Sequence, residues 1–267
     1  MNNLMSSIKN LATRLASPLR TVPVISLILA LLSTSAIGAA QPKKIVLIAG
    51  PITGHGKGVH EYEKDIILIK HLLDNSSNLK GLKTEVHFQG WPKDPTTLDD
   101  ADLIVFNSDG SNNDEIAHPL YVERRIEILE KQMKRGCGLV QLHWATFNPS
   151  RFHERITEWV GGYFDYEKGT GPKKWFSAIK TYEGPAKLGQ PDHPILRGVK
   201  PFSLKEEFYY NIRFRANDER VKPIVLTRPP GESRDHTVGW AISRKDGGRG
   251  FGFTGGHFFE NWKKPDY

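Results

Sequence analysis

Four histidines stand at positions from which imidazoles can act together. His55 and His60 lie in the run Gly50-Pro51-Ile52-Thr53-Gly54-His55-Gly56-Lys57-Gly58-Val59-His60-Glu61, His143 precedes Trp144, and His257 follows Gly255-Gly256. Each comes just after a short apolar stretch, as does Asp109 in Asn107-Ser108-Asp109-Gly110-Ser111. Imidazole, with an unperturbed pKa of about 6.5, takes and returns protons near neutrality. His143 or His60 is therefore the expected general base, and Asp109 or Glu207 the acid. A second chemistry is open to the same atoms: His55, His60, His143 and His257, with Asp109 in support, have the donor types of a zinc or other divalent transition-metal site.

Glu206-Glu207-Phe208-Tyr209-Tyr210 places carboxylates beside aromatic rings. Carboxylates accept hydroxyl hydrogen bonds while rings cover apolar C–H faces, a pairing suited to polyols. The expected substrate contacts are His55, Glu61, Trp144, His193, Tyr209 and His257, with Trp262 as a further stacking platform. His153 and His236 lie in polar surroundings and are expected at the surface.

Some chemistries are disfavoured. The glycine-rich run lacks the Gly-Lys-Ser/Thr ending of a P-loop and the Gly-x-Gly-x-x-Gly register of a dinucleotide site. Cys137 is the only cysteine. It precedes a strand, at the edge away from the histidines, so it is expected to be buried and not a nucleophile, and no intramolecular disulfide can form.

The elements that must position these groups follow from hydrophobic periodicity. Ile45–Ala49, Asp102–Phe106 and Gly138–Leu142 are short, non-alternating apolar runs, the pattern of strands buried on both faces. Lys83–Phe88 adds another strand. Tyr62, Ile66, Ile69 and Leu73 recur at helical spacing, as do Val122, Ile126, Leu129 and Met133, with Gly136 able to close the second helix. Alternating strands and helices imply a flavodoxin-like, doubly wound α/β fold with a mainly parallel sheet, whose ligands lie beyond the carboxyl ends of the strands. After residue 160, glycine-rich turns such as Gly169-Thr170-Gly171-Pro172 separate shorter segments at 176–180, 223–227, 237–241 and 250–254. These are read as partly antiparallel strands extending the same sheet.

Residues 1–40 carry Lys9, Arg14 and Arg20, then the apolar run Val22–Leu32, then small residues through Ala40. That order is expected of a signal peptide, which implies a periplasmic or secreted protein. The run is too short to span a bilayer, so no membrane association is expected after cleavage. Removing these residues takes away three positive charges and no carboxylate, lowering the net charge from +7 to +4. The remaining Lys and Arg are scattered among acids, which argues against nucleic acid as a partner.

The motifs Gly54-His55-Gly56 with Gly58-Val59-His60-Glu61, Gly138-Leu139-Val140-Gln141-Leu142-His143-Trp144-Ala145, Asp192-His193-Pro194-Ile195, Glu206-Glu207-Phe208-Tyr209 and Gly248–His257 together resemble the ThuA-like (trehalose-utilisation) family. The resemblance runs from about Lys44 to the end of the chain. It implies a class I glutamine-amidotransferase-like fold without the amidotransferase cysteine, since His143 stands at the turn that carries the nucleophile in that superfamily. It also implies a role in trehalose and keto-disaccharide catabolism, and hence a small carbohydrate as partner. Residues 41–267 would form this one domain. Members of the family usually carry a further helix after the segment matching Gly256–Trp262, where this chain stops at Tyr267. The expectation is acid–base chemistry on a sugar, of isomerase, lyase or hydrolase type. A non-catalytic carbohydrate-binding module and a metal-dependent hydrolase are the alternatives, and a homo-oligomer is open.

Overall fold

The apolar runs form parallel strands because both of their faces are covered. In β1 (Lys43–Ala49), Ile45, Leu47 and Ala49 point to one side and Val46 and Ile48 to the other, as strand alternation requires. The first set packs on Tyr62 and Ile66 of α1 (Tyr62–Asp74). The second set packs with Ile104 and Phe106 against Leu129 and Met133 of a helix on the other face. The computed structural model describes residues 41–51, 54–111, 117–165, 174–265 and 267. The expected export signal and the Gly169–Pro172 turn lie outside them.

In chain order, β2 (Leu82–His87), β3 (Leu103–Asn107), α2 (Arg125–Lys134), β4 (Gly138–Leu142) and α3 (His153–Trp159) complete the first half. There follow β5 (Gly162–Tyr163), β6 (Ala178–Leu188), β7 (Phe202–Tyr210), β8 (Arg213–Phe214), β9 (Val221–Thr227), β10 (His236–Ser243) and β11 (Arg249–Phe253). The second helix starts at Arg125, not Val122, because Pro119–Tyr121 form a 3-10 turn whose Leu120 amide donates to His118 Nδ1. Gly136 closes that helix with φ +88°, the left-handed conformation glycine adopts freely.

The main sheet has the order β2-β1-β3-β4-β11-β10-β9-β6-β7. The pairs from β2 to β11 are parallel, and those from β11 to β7 antiparallel. This is the mainly parallel, doubly wound α/β fold with an antiparallel extension. β5 and β8 form a separate two-stranded ribbon. Among the described residues, no helix is long and apolar enough to cross a membrane.

Of two histidines expected at the surface, one is buried and the other half-buried. His236 is 6% exposed, packs edge-on against Tyr210 and faces Glu232 at 3.2 Å. His153 stacks on Tyr163 at 3.7 Å and lies 2.9 Å from the Asn148 carbonyl. In both, a local run of polar residues conceals a contact made by a distant aromatic. Cys137 is buried as expected, and burial pushes its thiol up to about 11.

Candidate functional site

Register assembles the site. Ala49 pairs with Asn107, Asn107 with Leu142, and Leu142 with Phe253, so four parallel strands end in one row. The residues just beyond that row are the 50–61 loop, Ser108-Asp109, His143-Trp144 and Thr254–His257. β7 lies at the far edge of the sheet, yet it reaches the same place. Thr254 Oγ1 donates to the Tyr209 carbonyl at 2.9 Å, and Glu206 accepts the Gly256 and His257 amides, both at 3.2 Å.

Two of the histidines occupy left-handed backbone, His60 at φ 50° and His143 at φ 48°. Such conformations are costly outside glycine and persist where the surroundings impose them. For His143 the cause is the abrupt turn from β4 into a 3-10 segment, His143–Thr146, against which the Asp109 loop packs. Gly110 permits that approach: a Cβ there would overlap the Trp144 carbonyl and come within 2.5 Å of Phe147 Cβ.

The rings are close. His60 lies 4.0 Å from His55, 4.8 Å from His143 and 4.7 Å from His257, centroid to centroid. Trp144 stands edge-on to His55 at 5.3 Å and to His60 at 5.5 Å, forming one wall. Glu207 Oε1 is 3.3 Å from His257 Nδ1 and 4.0 Å from His143 Nε2. Asp109 Oδ1 is 3.5 Å from His55 Nε2.

Hydrogen bonds fix the tautomers. His143 Nδ1 lies 2.8 Å from the Thr254 carbonyl, which can only accept, so Nδ1 carries the proton and Nε2 a lone pair. Tyr209 OH sits 2.8 Å from that Nε2. Tyr62 donates its hydroxyl proton to Asp109 Oδ1 at 2.6 Å, so its oxygen accepts from His60 Nδ1 at 2.7 Å and leaves His60 Nε2 unprotonated. Burial, reinforced by His55 and His257, lowers the His60 pKa to about 3. Burial holds His143 well below, and His257 below, the ordinary imidazole value, and it raises the Glu207 carboxyl.

The expected site residues divide accordingly. His55, His60, Asp109, His143, Trp144, Glu207 and His257 share the crevice. His143 is fully buried, which removes it from direct contact with a large substrate. Tyr209 is 2% exposed and stacks behind His143, so it orients that ring and does not serve as a platform for a ligand. Glu61 fixes its own loop, accepting from Gly58 N at 2.8 Å and pairing with Lys64 at 2.6 Å. Trp262 donates to Asp65 at 2.8 Å on the α1 side of the sheet. His193 caps a 3-10 turn and borders a separate cavity of about 420 Å³ with Leu103, Leu139 and Arg249, at the amino ends of the strands. It is not part of the crevice. Sequence reasoning missed Tyr62, read only as an apolar helix position, together with Thr254 and the directing role of Glu206.

The family model described as ThuA, trehalose utilisation, matches residues 52–267. No curated protein matches the chain in sequence. A ThuA-like protein from Bacteroides uniformis ATCC 8492 superposes with TM-score 0.55 at 15% identity, covering 87% of this chain and 89% of its own. One from Parabacteroides merdae ATCC 43184 gives TM-score 0.54 at 17% identity, covering 80% and 79%. A glutamine amidotransferase from Thermotoga maritima gives 0.39 at 8% identity, covering 80% and 75%. With its family model matched over most of its length, on the fold the site is built from, this chain belongs to the ThuA family.

Proposed function

We propose that this protein is an exported enzyme of trehalose and keto-disaccharide catabolism that carries out histidine/carboxylate acid–base chemistry on a carbohydrate. The observation that carries this reading is the convergence of four imidazoles and two carboxylates on one row of strand ends, far more titratable groups than binding a neutral sugar requires. The order of basic, apolar and small residues in 1–40 supports export.

Exposure supports one division of roles. His55 and Asp109 stand at the open rim, with side chains 31% and 17% exposed, which supports assigning them to substrate. Trp144 beside them offers a face to the apolar side of a sugar ring. In a keto sugar the carbonyl acidifies the neighbouring C–H bond. His55 takes that proton and the C–H electron pair passes to the carbonyl as an enolate; the pair then returns to form a C=C bond as the neighbouring C–O glycosidic bond breaks, and Asp109 in its acid form protonates the departing oxygen. Such transfers contribute about 10²- to 10⁴-fold each.

The test is turnover of 3-keto-disaccharides by the purified full-length protein. His55→Ala and Asp109→Asn should each lower turnover by roughly 10²-fold or more. Unchanged rates in both variants overturn the assignment, and saturable binding without turnover would make the crevice a carbohydrate-binding site only.

A further inference from the structure

Deeper than the His55–Asp109 rim, the atoms do not balance as a hydrogen-bonded set. One ligand atom from each of His60, His143, Glu207 and His257 lies within 4.8 Å of all the others. His60 Nε2 and His143 Nε2 are lone pairs by the tautomers derived above. His257 Nδ1 is buried with no hydrogen-bond partner among the described residues, although it sits 3.3 Å from a Glu207 oxygen. The hydroxyl of Tyr209 faces both His143 Nε2 and the Glu207 carboxylate, and it has one proton to give. In the tautomer with its proton on Nε2, His257 adds a third lone pair to this set, and leaving buried acceptors facing one another costs about 1–3 kcal/mol each. A cation would satisfy all of them together.

We propose that His60, His143, His257 and Glu207 bind one divalent transition-metal ion, of which zinc fits the donor set best. Three neutral nitrogens and one carboxylate are a common zinc set, with bonds of about 2.0–2.2 Å. Tetrahedral bonds of that length separate ligand atoms by about 3.4 Å; the two Glu207 pairs stand at 3.3 and 4.0 Å, and the remaining pairs, all within 4.8 Å, would close by up to about 1.4 Å. Histidine ligands to metals also donate their second N–H to a carbonyl or carboxylate-linked partner. His143 does so to Thr254, and His60 does so through Tyr62 to Asp109.

The neighbouring trio His55, His60 and Asp109 is also close enough to hold an ion. It is the weaker candidate, because Tyr62 already bridges His60 Nδ1 and Asp109 with protons in place. With four side chains already bound, the metal would polarise a carbonyl of the bound molecule only by taking its oxygen as a fifth ligand, leaving His55 and Asp109 for proton transfer. This assignment takes its chemical purpose from the carbohydrate reading but its geometry from the four side chains alone.

The probe is Co(II), and then Zn(II), added to chelator-stripped full-length protein. The expected result is visible absorbance of a nitrogen-rich cobalt site saturating at about one ion per chain. It should be lost in His257→Ala and Glu207→Gln. Tyr62→Phe, which frees the His60 ring, should weaken binding roughly 10–100-fold. His193→Ala, remote from the crevice, should bind like the unaltered chain, and circular dichroism establishes that each variant is folded. Absence of cobalt uptake, or equal uptake by His257→Ala and Glu207→Gln, overturns the metal site. Stoichiometric binding without keto-disaccharide turnover would discard the sugar reading and leave the metal site standing. Turnover of keto-disaccharides by protein that takes up no cobalt would do the reverse.

Discussion

Tyr209 donates its hydroxyl to His143 Nε2 at 2.8 Å, and the two rings lie stacked with centroids 4.5 Å apart. The imidazole is fully buried and this is the donor its lone pair has. Tyr209→Phe keeps the stack and removes the donor, so in metal-free protein it should cost about 1–3 kcal/mol of unfolding free energy by urea titration. Saturating zinc takes over the lone pair, so the penalty should shrink when it is present. An equal penalty with and without zinc would contradict the placement of His143 among the ligands.

The left-handed backbone at His60 makes a second prediction. A non-glycine residue there costs roughly 1–2 kcal/mol, and asparagine tolerates the conformation better than most residues. His60→Asn should therefore unfold at a urea concentration no lower than the unaltered chain, while turnover of keto-disaccharides falls at least about 10²-fold. A variant that is both inactive and markedly destabilised would show that His60 holds the fold together, with no strain kept for function.

How much of this was legible beforehand depended on sequence distance. The parallel strands announced themselves as apolar runs, and the rule that ligands lie beyond their carboxyl ends singled out His55, His60, Asp109, His143 and His257, which the structure brings together in one crevice. Glu207 and Tyr209 were picked for their chemistry alone, since nothing local shows that the edge strand β7 returns to the ends of β4 and β11. The same limit hid Glu206, whose partners lie about fifty residues onward, and Tyr62, whose hydroxyl reaches Asp109 across 47 positions. His193 misled because a cap of the type Asp-His-Pro and a pocket residue look alike in one dimension.

Asp65 supplies a pH dependence. It is 1% exposed, and burial, together with the nearby carboxylates Glu61 and Glu206, raises its pKa to about 6 even though Asn107 and Trp262 donate to it. A carboxyl whose folded pKa is raised favours the fold in its protonated form. Its contribution is complete below about pH 4 and is lost as pH rises through about 6. A shift of this size is worth up to about 3 kcal/mol. Between pH 4 and pH 7.5 the unfolding free energy of Asp65→Asn should therefore gain on that of the unaltered chain by up to that amount. A gain in the opposite direction would mean that the ionised carboxylate is the form the fold prefers.

Glu206 bears on both Glu207 and His257 without touching the crevice. It is fully buried and accepts from the amides of Glu207 at 2.8 Å, Gly256 and His257, from Asn261 Nδ2 at 3.0 Å and from Tyr267 OH at 2.9 Å. Its two oxygens thus tie the strand carrying one carboxylate ligand to the turn carrying one imidazole ligand. Gly256, at φ +114°, lets the backbone turn back toward it. Glu206→Gln replaces one acceptor oxygen with a donor that faces other donors, leaving at least one buried N–H or O–H unpaired at a cost of about 1–3 kcal/mol. The loss should not be confined to stability. Because both ligands loosen together, cobalt affinity should fall roughly 10–100-fold in protein that circular dichroism shows to be folded. Asn261→Ala, which removes the Nδ2 bonds to Glu206 and to the Lys205 carbonyl but leaves the three amides that Glu206 accepts, should lose far less affinity for comparable destabilisation, and equal losses in the two would reduce Glu206 to a support of the fold alone.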